Sequence, residues 1–157
     1  MKEKHESVKM MWRKYLNSIG EKEDSTKRTY TSWYFCDNEK DAAHLAKLVL
    51  AGTKRGTASL VDSFEKEGEQ IPKAGDLSII TDWNGIAQCM IETCNITITP
   101  FKDVTAAFAL REGEGDKSLA YWRDAHVAFF TRELEAENQA FHEDMLVVCE
   151  EFEVVFK

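Results

Sequence analysis

Residues 77–99, LSIITDWNGIAQCMIETCNITIT, carry the clearest fold signal in the chain. Two runs rich in β-branched and apolar residues flank Asn84-Gly85, a dipeptide that tolerates the positive φ angles of a type I′ hairpin turn. We therefore predict one strand from Leu77 to Trp83 and a longer one from Ala87 to Thr99, which Pro100 interrupts. Because such hairpins build antiparallel sheets, the middle of the chain favours an antiparallel sheet over repeated β-α-β units.

Helical patterns flank this hairpin on both sides. Before it, apolar spacing predicts a helix ending near Gly20 and a second helix that Asp37 or Asn38 caps and Gly52 stops. After it we predict a short helix over residues 103–110 and a longer one over 118–137, with an inner face of Leu119, Trp122, His126, Phe130 and Leu134. Strand patterns occupy residues 57–61 and 145–156, a short strand or extended segment residues 30–36, and a charged excursion residues 62–70. This order predicts an α+β fold with a small barrel-like sheet.

Composition narrows the class of protein. A chain of 157 residues with 43% hydrophobic residues suffices for one core, so we expect one domain. The net charge of −8 opposes broad electrostatic capture of a polyanion. The N-terminus lacks the apolar run of a signal peptide, and no apolar stretch approaches the ~20 residues of a membrane span, so we expect a cytoplasmic protein without a membrane partner. The four cysteines form no CxxC pair, which favours buried reduced thiols and predicts neither a metal nor a cofactor.

The segment GTKRGTAS, residues 52–59, combines a lysine, an arginine and three hydroxyls with two glycines. A lysine can assist a hydroxyl nucleophile when its Nζ lies within about 3 Å of the hydroxyl oxygen. Residues three apart in a strand face opposite ways, so Lys54 and Thr57 can meet only if Gly56 permits a bulge or a late turn. The alternative is a solvated lysine beside an ordinary strand threonine.

The segment REGEGDKS, residues 111–118, places carboxylates at 112, 114 and 116 between glycines. Clustered carboxylates can hold a proton near neutrality, and the flanking glycines would let Glu114 enter a cleft. Asp116 is best interpreted as the N-cap of the following helix. The spacing fits neither a phosphate-binding loop nor an EF-hand. His126, on the inner face of that helix, is more typical of a hydrogen-bonded core histidine than of a catalytic one.

Four sequence features together resemble the ASCH domain family over about residues 30–156. They are Lys54-x-x-Thr57 after Ala51-Gly52, Trp33 before Phe35, Pro72-x-x-Gly-Asp76 before a strand, and Glu112-Gly-Glu-Gly-Asp-Lys-Ser-Leu119 before Trp122. The resemblance implies a small PUA-like, mostly antiparallel β-barrel flanked by helices, with a cleft suited to RNA or a nucleoside. We accordingly expect one ASCH-type domain over residues 1–157, with an added N-terminal helix at about residues 3–20.

The resemblance also implies an activity. Small bacterial members of the superfamily act as N4-acetylcytidine amidohydrolases that use a lysine, a threonine and a glutamate. The first two correspond to Lys54 and Thr57, and the glutamate corresponds to Glu114, with Glu112 as the alternative. The leading hypothesis is a cleft that binds a nucleoside or an RNA end and hydrolyses a small acyl amide. Thr57 would attack, Lys54 would assist proton removal and steady the oxyanion, and Glu114 would pass a proton to the leaving amine.

Further residues are predicted to contact the substrate. Trp33 or Trp122 would stack on the base, although both tryptophans are compatible with core packing. An alternative function is a non-catalytic RNA-binding module in which Lys54, Arg55 and Lys117 contact phosphate. A third is a ribonuclease, since other superfamily members are described as such and the same lysine and glutamate could activate a ribose hydroxyl.

Overall fold

A computed structural model of the protein describes residues 3–157. The helices are α1 (Glu6–Ser18), α2 (Glu39–Leu50), α3 (Val61–Glu67), α4 (Ala106–Glu112) and α5 (Leu119–Glu135). The strands are β1 (Thr31–Trp33), β2 (Gly56–Leu60), β3 (Leu77–Thr81), β4 (Ala87–Pro100) and β5 (Leu146–Phe156). A short 3-10 helix, Phe101–Asp103, joins β4 to α4. None of the described helices is long and apolar enough to cross a membrane.

The five strands form one curled sheet in the order β1-β3-β4-β5-β2. The β1–β3 pair is parallel and the other three pairs are antiparallel. The register of β4 against β5 shifts between Met90 and Ile91 and again between Thr93 and Asn95. Such shifts bend a strand and increase its twist, so β4 can pair with β3 on one side and with β5 on the other as the sheet curls. The predicted α+β fold with a barrel-like sheet is confirmed.

The hairpin between β3 and β4 is confirmed, but the predicted type I′ turn is wrong. Gly85 has a φ of 83°, whereas Asn84 stays outside the positive-φ region. The carboxylate of Asp82 accepts hydrogen bonds from the backbone N–H groups of Asn84 and Ile86, at 2.9 and 3.0 Å. This Asx-type turn gives the two backbone N–H groups an acceptor, and Asn84 can adopt it with a negative φ.

Most of the predicted helices are confirmed, and one was missed. Asn38 caps α2 by accepting from the N–H of Asp41. The predicted inner face of α5 is buried at Trp122, His126, Phe130 and Leu134. The charged segment 62–70 lies largely in helix α3, for which Gly68 is the C-cap. This helix packs beside β2 and β5, and none of its side chains is buried. The strand pattern predicted over residues 145–156 forms one strand, β5, from Leu146 to Phe156.

Three hydrophobic clusters cover the sheet and define where a cavity can open. The first joins α4 and α5 to β2 and β5, around Phe101 and Phe130. The second joins α2 to β3, β4 and β5, around Val49 and Phe152. The third packs α1 against β3 and β4, around Leu16 and Met90. The cavity described next lies where the first two clusters meet.

Candidate active site

A cavity of about 190 Å³ opens between α2 and α5. Four of the predicted site residues line it: Lys54, Thr57, Glu112 and Glu114. Phe35 and Leu45 border it on the side of the second cluster, and Phe129 on the side of the first. The remaining predicted residues, Trp33, Arg55, Lys117 and Trp122, are not among its lining residues. Segments about sixty residues apart in sequence therefore meet at one cavity.

The turn that carries Lys54 is built before β2, not within it. After α2 ends, the backbone N–H groups of Thr53 and Lys54 both donate to the Leu48 carbonyl, at 2.9 and 3.1 Å. The pairing of β2 with β5 then runs without a register shift from Gly56 onwards. Of the bulge and the late turn considered at Gly56, the bulge is absent and a turn precedes the strand: Lys54 lies before β2, so the alternation of strand side chains does not apply to it. Gly56 instead gives room, since a Cβ there would lie 3.3 Å from the Phe108 ring.

Two glycines set the path of the loop that carries Glu114. Gly113 ends α4 with a φ of 70°, and a Cβ at this position would lie 2.1 Å from the Thr53 carbonyl oxygen. Gly115 has a φ of 58°, and its Cβ would lie 2.4 Å from the Tyr121 ring. Both the positive φ angles and the close approaches favour glycine. The loop thus packs on the Lys54 turn and directs Glu114 to the cavity.

The Lys54 ammonium is the electrostatic centre of the site. Lys54 is 1% exposed, and its Nζ donates to the Gly56 carbonyl at 2.7 Å, to Glu112 Oε1 at 2.9 Å and to Glu114 Oε2 at 3.5 Å. Burial lowers the pKa of Lys54, but the two carboxylates outweigh burial and hold this pKa above its ordinary value. All three ammonium protons have acceptors, so Lys54 is suited to donate hydrogen bonds rather than to accept a proton.

Glu112 is a fully buried carboxylate that accepts from three side chains. Besides Lys54, the indole Nε1 of Trp122 and the Nε2 of His126, the latter at 3.1 Å, bond Glu112 Oε2. Burial would raise the pKa of Glu112, but the positive charges of Lys54 and His126 prevail and hold it well below its ordinary range. Glu112 is therefore the fixed anion of the site. Its nearest partners lie 58 and 10 positions away in sequence, so no local pattern reveals the cluster.

Glu114 differs from Glu112 in both exposure and protonation. Its side chain is 22% exposed and faces the cavity. Burial and the neighbouring Glu112 charge raise the pKa of Glu114, and Lys54 offsets them only in part. A carboxyl group in this state can take up and release a proton closer to neutrality than an ordinary glutamate does.

Thr57 lies at the cavity edge in β2, opposite Glu150 of β5. Its side chain is partly buried, and its hydroxyl forms no side-chain hydrogen bond within residues 3–157. Deeper in the cavity, the Phe35 ring centroid lies 5.2 Å from Lys54 Nζ. Arg132 of α5 pairs with Asp37 at 3.2 Å and so links α5 to the loop before α2 beside the cavity.

A metal could be considered for Glu112, Glu114 and His126, whose ligand atoms lie within 4.8 Å of one another. The donors of Lys54, Trp122 and His126 already occupy these carboxylates, and the lysine supplies the cationic charge that a metal would bring. We therefore assign no metal to the cluster, and the absence of a metal and of a cofactor stays a prediction.

The other predicted contacts lie away from the cavity. Trp122 is 2% exposed and stacks on His126 and Phe101, with ring centroids 4.1 and 5.3 Å apart. Trp33 packs edge-on against Phe35 in the second cluster. Their roles in stacking on a base stay predictions.

The two predicted cations other than Lys54 differ in their exposure. The guanidinium of Arg55 lies over Gly52, and its Nη1 is buried without a hydrogen-bond partner among the described residues. Lys117 is exposed, with a φ of 67°. The prediction that Asp116 caps α5 is wrong: Ser118 is the N-cap and accepts from the N–H of Tyr121, while Asp116 accepts from the N–H of Ser118.

The α+β fold with its curled sheet, together with the lysine–glutamate cluster beside β2, defines the class of protein: a barrel-like domain with a polar cavity. The family model for the ASCH domain matches residues 31–156, and the chain belongs to the ASCH domain family. A comparison with curated proteins gives no match.

Solved structures support the same assignment. The crystal structure of an ASCH domain from Lactobacillus crispatus JV V101 is 38% identical, with a TM-score of 0.89, and the match covers 100% of this chain and 99% of that one. Protein EF3133 from Enterococcus faecalis V583 is 34% identical, with a TM-score of 0.83, over 96% of this chain and 89% of that one. The hypothetical protein PH0355, at 20% identity and a TM-score of 0.51 over 80% of this chain and 97% of that one, shares the fold.

Proposed function

We propose that the protein is a cytoplasmic amidohydrolase that removes a small acyl group from the exocyclic nitrogen of a nucleoside such as N4-acetylcytidine. One observation carries the proposal: the buried Lys54 ammonium is held between Glu112 and Glu114 on the wall of a cavity that Thr57 also lines. A nucleophile, a proton carrier and a fixed cation are the parts that acyl transfer needs.

The protonation states divide the chemical roles. Thr57 Oγ1 attacks the acyl carbon while Glu114 takes the hydroxyl proton, and Lys54 donates to the oxyanion. When the C–N bond breaks, Glu114 returns its proton to the leaving amine and an acyl-threonine remains. Water then attacks this ester, Glu114 again accepts and returns a proton, and the carboxylic acid and free threonine are released. The sequence led us to expect that Lys54 assists proton removal as well as steadying the oxyanion. In this mechanism Lys54 only donates hydrogen bonds, because its pKa lies above the ordinary value.

The size of the cavity supports a small substrate. Its volume of about 190 Å³ lies below the ~300–1,000 Å³ of pockets that enclose whole drug-sized ligands. A base with its acyl group fits this volume, and the ribose would then lie at the opening. An RNA-binding module is supported less well, because Lys54 is 1% exposed and lines the cavity, away from the surface along which a phosphate backbone would run.

The test is to incubate the purified protein with N4-acetylcytidine and to follow cytidine and acetate by chromatography. Thr57→Val keeps the shape of the nucleophile and removes its oxygen, and Glu114→Gln removes the proton carrier. We expect each change to lower kcat/KM by roughly 10²-fold or more. Ser59→Ala, which removes a hydroxyl from the same strand outside the cavity lining, is the matched control and should retain full activity.

The proposal fails if the wild type releases no cytidine, or if Thr57→Val is as active as the control. RNA binding is tested in parallel with a single-stranded oligonucleotide at two salt concentrations. Affinity that falls steeply with salt and with Lys117→Ala would favour the RNA-binding module instead.

A further inference from the structure

His126 has a hydrogen-bond acceptor at each of its two ring nitrogens. Its Nδ1 lies 2.8 Å from the Trp122 carbonyl oxygen, and its Nε2 lies 3.1 Å from Glu112 Oε2. A carbonyl oxygen can only accept, so Nδ1 must carry a proton. The Lys54 ammonium, 2.9 Å from Glu112 Oε1, keeps Glu112 ionised, so this carboxylate has no proton to donate and Nε2 must carry one as well. A histidine with both nitrogens protonated is an imidazolium cation.

We propose that His126 is a positioning residue that remains doubly protonated at neutral pH, anchors Glu112 and, through its charge, keeps Glu114 ready to accept a proton. The part that concerns Glu114 rests on the proposed hydrolysis. The part that concerns the charge of His126 rests on the contacts of its two ring nitrogens and on the ionised state of Glu112, and it does not depend on the hydrolysis. His126 lines the cavity, but both of its ring nitrogens are taken up by Trp122 and Glu112, so it acts through Glu112 and not on the reacting atoms.

Charge balance in the cluster supports the proposal. Two cations, Lys54 and His126, face two carboxylates, Glu112 and Glu114. Lys54 pairs with both carboxylates, and the ligand atoms of His126 and the two glutamates lie within 4.8 Å of one another. With a neutral imidazole, a single ammonium would have to compensate two buried anions. Because buried charges are costly unless they are paired, the second cation lets Glu114 ionise at the cavity wall.

The surroundings of His126 also favour the cation. Its ring stacks on the Trp122 indole, with centroids 4.1 Å apart and planes inclined by 17°. An indole face attracts a cation. Burial lowers the pKa of His126, but Glu112 and Glu114 raise it above the ordinary value.

Other titratable groups nearby do not offset this charge. Cys149 of β5 has a thiol pKa raised to about 12, mainly by burial, and stays neutral. The acidic and basic side chains that line the same cavity from α2 and α5 are Asp41 and Arg132, one of each sign, and the imidazole of His44 also lines it.

The charge of His126 can be read directly by NMR of the wild-type protein. Long-range ¹H–¹⁵N spectra give both ring-nitrogen shifts of each of the four histidines, and the buried one is assigned by elimination with the exposed-site variants His5→Gln, His44→Gln and His142→Gln. We expect both His126 nitrogens to keep imidazolium shifts at pH 7.5, a pH above the ordinary pKa of a histidine side chain. One protonated and one bare nitrogen at that pH would overturn the proposal.

The effect on Glu114 is read from the pH dependence of kcat/KM. His126→Gln preserves an N–H that can reach Glu112 and removes the charge, and His142→Gln is the control at an exposed position. We expect the acidic limb of the profile to move to higher pH in His126→Gln, with activity about tenfold lower on that limb and a smaller loss on the plateau. A uniform loss at every pH would indicate packing alone and overturn the role of the charge. If the wild type fails to hydrolyse the substrate, the NMR result still decides the protonation of His126.

Discussion

Replacing Lys54 with methionine tests how far the site depends on its central cation. Methionine has a similar length and fills the same space, but it leaves Glu112 and Glu114 without their shared ammonium and the Gly56 carbonyl without its donor. Removing one partner from a buried ion pair costs about 3–5 kcal/mol, because the other charge stays buried and uncompensated. At about 2–4 °C per kcal/mol for a chain of this size, the melting temperature should fall by roughly 6–20 °C.

Urea unfolding followed by tryptophan fluorescence measures this change at pH 7 and at pH 3.5. The pKa of Glu112 is depressed in the folded protein, so its ion pair stabilises the fold above the ordinary glutamate range, and this contribution is lost as the pH falls through that range and below it. The gap between wild type and Lys54→Met should therefore narrow in acid. The matched control is Lys117→Met at an exposed position, with an expected change within about 0.5 kcal/mol. A loss below about 1 kcal/mol for Lys54→Met at pH 7 would refute the reasoning.

Three further outcomes are expected. Gly113→Ala should lower the free energy of unfolding by at least about 2 kcal/mol, because the added Cβ would meet a backbone carbonyl. Gly115→Ala should lower it by about 1 kcal/mol, because the added Cβ would meet an exposed tyrosine ring that can turn aside. Equal losses in urea titrations would contradict this. Glu114→Gln should raise stability at pH 7, since burial and a like charge raise the pKa of Glu114, and the gain should vanish in acid; a pH-independent loss of stability would count against it. In native protein at pH 8, a thiol reagent should modify Cys94 first and leave Cys149 unmodified; rapid reaction of both would show that the core opens readily.

The elements that the sequence predicts well are those that bury apolar residues. The α5 pattern follows the helical period, β3 is a short run that is buried throughout, and both elements are present. Helix α3 was missed because its charged residues face solvent and leave no apolar stripe to detect. The turn type was wrong because the side chain of Asp82, outside the dipeptide, satisfies the backbone. Side-chain competition of this kind is not visible in a two-residue signature.

At the site, residue types were easier to predict than their roles. The sequence singled out Lys54, Thr57 and both glutamates, and these four line one cavity. It did not distinguish the fixed anion Glu112 from the more exposed Glu114, because burial and partners decide between two carboxylates two residues apart. It also gave no sign that His126 and Glu112 bond each other, since that contact depends on how α4 and α5 pack.

The contact between Gly113 and the Thr53 carbonyl has a consequence for which changes in chain length the protein can accept. In the same region the backbone N–H of Arg55 donates to the Arg111 carbonyl at 2.7 Å, so residues 53–55 and 111–113 are in close backbone contact. One inserted residue in either segment would move Lys54 or Glu114 by about one Cα spacing, ~3.8 Å, which exceeds the tolerance of their ion pair. Residues 115–117 are exposed, so an insertion there would lengthen the connection to α5 while leaving both side chains in place. Length variation among related chains should therefore concentrate after Gly115 and be rare between Arg111 and Glu114.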